Sequence, residues 1–196
     1  MKYYLLLLTI FGIFNTTNGQ LTKKTWLVGG NGSFYSYNEN YSSPATNFNA
    51  KYTNVDISAS TGYFVADKLA TGLRPAFSSY KGESSGGGST NNYRLAIGPF
   101  LRYYFLSAEN PFNLLVDFSY QFGANKNSGG LNDKGKYNIF SAMGGTEIFF
   151  NSTVGMEFLL GYSQELVTID NTSIQSRSDK KGFQASIGIL LHLEKD

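Results

Sequence analysis

Six ionisable residues stand in sparsely charged, strand-like stretches: Asp56, Arg74, Arg102, Asp117, Glu147 and Glu157. The only histidine, His192, lies two residues before Glu194. A histidine beside a carboxylate can act as a general base, but nucleophilic catalysis also needs a serine or cysteine at the imidazole, and the sequence places none there. One histidine and scattered carboxylates do not form a metal-ligand cluster, so no metal is expected. The glycine-rich "ESSGGGSTNN" lacks the lysine and following helix of a phosphate loop, so no cofactor is expected either. The six charges are expected to neutralise one another as pairs in a water-poor interior, because an unpaired charge there is costly. The pairs thus hold a plug of side chains together; a proton or ion relay is the sharper alternative.

These charges are carried by eight stretches with period-two patterning. In "GFQASIGILLHL" (182–193), Phe183, Ala185, Ile187, Ile189, Leu191 and Leu193 form one apolar face. Seven earlier stretches, 25–37, 54–65, 68–80, 93–106, 112–123, 137–150 and 152–166, read the same way. One face holds the bulk, as with Leu95, Ile97, Leu101, Tyr103 and Phe105. The other is rich in Gly, Ala and Ser, with isolated charges such as Arg102 and Asp117 along it. An eight-stranded barrel has an interior just wide enough to be filled by side chains. The bulky face would overfill it, so that face points outward, to lipid, and the interior offers no open pocket. The expected fold is an all-β, eight-stranded, antiparallel, up-and-down transmembrane barrel.

Composition agrees. Charged residues make up 15% and aromatics 16%, with 14 Tyr and 16 Phe, as suits a chain with aromatic belts at membrane interfaces. A mean hydropathy of −0.21 is ordinary for strands that alternate lipid and lumen. The net charge of +2 and the lack of a basic run set nucleic acid aside. The absence of cysteine excludes a lipoprotein anchor, disulfides and cysteine metal sites. Residues 1–19, with Lys2, the apolar "YYLLLLTIFGIF" and the polar "NTTNG", read as a secretory signal peptide, leaving 20–196 as the barrel domain.

The connections alternate. Tight turns are expected at Ala66–Asp67, at "SAENP" (107–111) and at Asn151. Long polar loops are expected at 38–53, 81–92, 124–136 and 167–181. Short turns on one side and long loops on the other are the pattern of bacterial outer-membrane barrels. Counting outward from the turns sets Arg102 opposite Asp117, puts Asp56 within diagonal reach of Arg74, and places Glu147 and Glu157 on neighbouring strands. Pro75 and Pro99 lie nearly opposite one another, where a bulge or gap is expected.

The whole mature chain, and "GYFVADKLATGL" (62–73) in particular, resembles the small eight-stranded outer-membrane barrels of Gram-negative bacteria, of OmpA and OmpX type. The resemblance implies an integral outer-membrane protein that meets outer-membrane lipid and the barrel assembly machinery. Members of that family usually end on an aromatic residue, whereas this chain ends "HLEKD". Lipid-modifying barrels carry a histidine and serine near the outer leaflet. His192 is instead expected at the periplasmic end, so no enzyme is expected. The expected role is structural, or a surface interaction through the long loops, with Tyr37, Tyr41, Phe48, Arg177, Lys180 and Lys181 as contacts for an extracellular ligand. A monomer is expected. The alternatives are a small conducting channel and a soluble, secreted, lipocalin-like ligand-binding barrel.

Overall fold

A computed structural model describes residues 21–43, 46–84, 88–127, 134–170 and 175–194. The expected signal peptide and its cleavage point lie outside them. Eight strands follow in chain order: β1 (Trp26–Ser43), β2 (Thr46–Ala66), β3 (Leu69–Ser84), β4 (Ser89–Tyr104), β5 (Phe112–Asn127), β6 (Lys134–Phe149), β7 (Val154–Asp170) and β8 (Gln175–Leu193). Each pairs antiparallel with its neighbours, and β1 meets β8 to close the barrel. Closure satisfies backbone polar groups that hydrocarbon could not.

Alternation decides which side chains face which way. Leu95, Ile97, Leu101, Phe112, Phe118, Ile187 and Ile189 are exposed on the outer wall, while Phe100, Arg102, Tyr104, Leu115, Asp117 and Glu157 are buried inside. Outward aromatics bound the apolar belt. Trp26, Tyr103, Phe105, Phe112 and Phe150 lie toward one end, and Phe34, Phe77, Tyr93, Phe122, Phe140, Tyr162 and Phe183 toward the other. Tyr93 and Tyr103 are ten positions apart on β4, which spans about 25 Å once a strand tilt of about 40° is allowed for. That is the height of a membrane-facing band.

The strands do not stop there. They run 16 to 21 residues, where about 9–11 cross a bilayer. Beyond the second aromatic girdle the outward positions turn polar, with Lys51, Lys81, Glu83, Lys136 and Lys181 exposed. This corrects the expectation of four long loops. Asn38–Ser43 pairs with Thr46–Lys51, Lys81–Glu83 with Ser89–Asn91, Lys126 with Lys134, and Asp170 with Gln175. Outside lipid both faces of a strand are wet, so the two-residue alternation disappears although the ladder continues. Tyr37, Tyr41, Phe48, Arg177 and Lys180 accordingly lie on paired strands; their side chains fall outside the described residues.

The near end is closed by short connections: Asp67–Lys68, residues 105–111 and residues 150–153. Lys68 takes a left-handed backbone at φ 65°, and its amide donates to the Leu21 carbonyl at 2.8 Å. Leu21 is thereby tucked, fully buried, beneath the barrel floor. The two prolines leave gaps without a bulge. The β3–β4 ladder runs unbroken through Leu73–Pro99 and Pro75–Ile97. The missing pairs are on the far sides, between Ser58–Ala76 and Thr61–Leu73 and between Ile97–Phe122 and Phe100–Ser119. The absent N–H of each proline points away from the other proline's strand. The one register shift in the β2–β3 ladder is at Phe64 and Ala66.

Candidate functional site: the barrel lumen

The near half of the lumen is filled. Arg102 on β4 lies directly opposite Asp117 on β5, and its Nε donates to Asp117 Oδ2 at 2.9 Å. Its Nη2 sits 2.8 Å from Glu157 Oε2 on β7. Those two atoms are buried without a well-angled hydrogen bond, so this contact is ionic rather than directional. Arg74 on β3 grips the same Asp117 with both terminal nitrogens, at 2.7 and 2.8 Å, and its Nε donates to Ser60 at 2.9 Å. Two parallel N–H bonds to one carboxylate are the strong, geometrically specific form of such a pair. Arg74 also lies over the Phe100 ring, 4.8 Å from its centroid.

The expected Asp56–Arg74 pair is therefore corrected. The ladder sets Asp56 opposite Ser78, well along β2 from Ser60, and the Asn54 amide donates to it. The long guanidinium stem of Arg74 spans two strands to reach Asp117 instead. His192 is corrected too. Its partner is not Glu194, which is exposed, but Glu147, with Nε2 2.7 Å from Oε1. Tyr104 donates to the other oxygen of Glu147 at 2.6 Å. The imidazole is fully buried and packs among Phe64, Tyr104 and Phe149, with ring centroids 5.4 to 6.3 Å away. It is a packing and hydrogen-bonding element in a sealed floor, without the open approach that a catalytic base needs.

Glu147 and Glu157 stand directly opposite one another on β6 and β7. Two carboxylates at one height repel, and the arrangement holds because each has its own cation or donor. Glycines make the room. A β-carbon at Gly155 would strike the Glu147 carboxyl group, and one at Gly188 would lie 2.8 Å from Glu157 Oε1. Two guanidiniums face three carboxylates in this cluster. Breaking any one of these contacts would leave a buried charge without its partner, which is costly.

The far half is open, which corrects the expectation that the barrel holds no pocket. A cavity of about 920 Å³ is lined by polar and apolar surface in about equal measure, the polar part including Asn54, Asn92, Ser119, Gln121, Ser141 and Ser163. Arg94 on β4 reaches across it to Glu165 on β7 at 2.8 and 3.0 Å. Ser119 and Ser141 share a hydrogen bond at 3.3 Å on its floor. The lining is small because the strands here carry Ser, Ala and Gly inward. Alternation in the sequence marks these small residues as inward-facing, but only the count of bulky inward residues along each strand separates the filled half from the open one. Above the girdle, Lys81 and Glu83 pair: their hydrogen bond and opposite charges raise the lysine pKa and lower that of the carboxylate.

No protein-family model matches the chain, and no curated protein matches it. Among solved structures it is similar to the outer membrane protein OprG from Pseudomonas aeruginosa. The TM-score is 0.60 at 11% sequence identity, over 91% of this chain and 100% of that one. It is also similar to Neisserial surface protein A, with a TM-score of 0.47 at 17% identity over 86% and 97%. The OprG likeness bears on the fold alone, that of a small, closed, eight-stranded antiparallel barrel.

Proposed function

We propose that this chain is an integral protein of the bacterial outer membrane, with its short turns in the periplasm, and that it works through the part of the barrel that projects beyond the lipid. The observation that carries this reading is the change in the outer wall at the Phe34–Phe183 girdle, where an apolar band gives way to Lys51, Lys81, Lys136 and Lys181 while the hairpins continue. A projecting sheet presents contact residues on a rigid frame, so it loses less conformational freedom on binding than a loop of equal length. The filled near half argues against a through-channel. Arg102, Tyr104, Phe64, Phe149 and Leu21 together occupy the path, and wide aqueous lumens belong to barrels with many more strands.

The test is to cut one hairpin back in register, replacing Asn38–Lys51 by a two-residue turn. The shortened protein is expected to fold in detergent, shown by a gel mobility that shifts on boiling. Cells displaying it are expected to lose the surface adhesion or deletion-strain phenotype that the parent restores. A full phenotype from every shortened hairpin would leave a purely structural barrel. Stepwise conductance in planar bilayers would favour a channel instead.

A further inference from the structure

The ladder that closes the barrel is incomplete. β1 and β8 pair from Trp26–Leu193 to Asn31–Gly188, and no further among the described residues. Yet β1 runs on to Ser43 and β8 starts at Gln175. Each remains paired on its other side, β1 with β2 up to Ser43–Thr46 and β8 with β7 up to Asp170–Gln175. The wall therefore has a slot that begins at Gly32 and Ile187, just below the girdle residues Phe34 and Phe183. Those two aromatics are 70% and 86% exposed at its lips. Gly32, Gln184, Ser186 and Ile187 border both the slot and the cavity, so the cavity opens sideways. Gln184 shows the same thing from within: its side chain turns inward to Met143 at 3.3 Å, yet the residue is exposed.

Unpaired strand edges do not face hydrocarbon; at membrane depth they are tolerated where they line a wet cavity. The slot is thus a place where a polar chamber meets the edge of the lipid. We infer that slot and cavity together bind a single-chain amphiphile with an uncharged, hydroxyl- or amide-bearing head. The head occupies the cavity and the alkyl chain passes between Phe34 and Phe183 into the leaflet. The charge state of the head follows from the lining. Arg94 is already paired with Glu165, and Arg74 with Asp117, so an anionic head entering the cavity meets no spare cation among the described residues that line it, while Asp56 on the same wall is held by the Asn54 amide. Neutral donors are accommodated, because Asn92 Oδ1 lines the cavity as a buried acceptor with no partner, and Ser119, Ser141 and Gln121 offer further polar groups. The inference rests on the membrane reading of the outer wall and is independent of what the projecting sheet contacts.

The experiment uses the full mature chain in phosphatidylcholine vesicles and a monolauroyl glycerol with a diazirine beside its glycerol head. After irradiation, adducts are expected on Ser119, Ser141 or Met143, and excess unlabelled monolauroyl glycerol should abolish them. The same chain on a phosphate head should label these residues less. Because the protein has no cysteine, Asn38→Cys with Lys181→Cys gives a clean staple at positions the register would bring face to face, drawing the slot shut from its far side without altering Phe34 or Phe183. Lumen labelling should disappear when the staple is oxidised and return on reduction. Ser141→Phe, which fills the cavity floor without touching the slot, should also remove it. Boil-shifted mobility confirms folding for each variant, so loss of the fold or of membrane insertion is distinguished from loss of the site. Adducts confined to Phe183 and Ile187, or lumen adducts that survive the oxidised staple, would overturn the inference.

Discussion

The near and far halves of the lumen hold their charges differently. In the near half, Arg102, Asp117 and Glu147 are essentially without solvent, and each charge is gripped by two or more partners. In the far half, Arg94 and Glu165 keep 24% and 20% of their side chains exposed and form one strut across an open chamber. The first arrangement is costly to assemble and costlier to break, since removing one member leaves the rest buried and unpaired. The second lets water replace a lost partner. The same barrel wall thus carries a rigid stopper at one end and an adaptable chamber at the other.

The sharpest way to break the contrast is Asp117→Ala. It strips both Arg74 and Arg102 of their shared carboxylate, and a loss of about 3–5 kcal/mol is expected in urea unfolding followed by gel mobility in vesicles. Adding Arg102→Ala should cost less than the sum of the single losses, because the second change removes a charge the first had orphaned. Simple additivity in that cycle would mean that the stopper is not a coupled network.

A smaller effect comes from overfilling. Gly155→Ala pushes a methyl group into the Glu147 carboxyl group, and about 1–3 kcal/mol should be lost on the same assay. A neutral result would show that the Glu147–Tyr104–His192 cluster can shift as a body, so that the stopper is softer than its burial implies.

In the far half, Arg94→Ala should cost no more than about 1 kcal/mol, because the pair is partly wet. A loss as large as that of Asp117→Ala would erase the distinction between the halves. Least of all is expected from Lys81→Ala, above the girdle. Its pair with Glu83 is fully solvated, so the unfolding midpoint should not move measurably; a clear shift would mean that the projecting sheet is held by its surface charges.

Much of this was legible in the residues themselves. Alternation from Leu95 to Phe105 and from Phe112 to Phe122 told inside from outside, because a strand's two faces meet two different solvents. The short turn after β4 set the β4–β5 register, so Arg102 could be placed opposite Asp117 by counting. Counting failed where contacts leave the hairpin. Arg74 passes over β4 to Asp117, and His192 passes over β7 to Glu147; such reaches depend on barrel curvature and side-chain length, which no pair of neighbouring strands encodes. The strand extensions were hidden because both of their faces are wet, which removes the pattern while leaving the ladder. The slot between β1 and β8 was beyond sequence altogether. No turn joins those two strands, so the point at which they part is decided by how the closed ring of eight meets itself, and only the tertiary structure determines that.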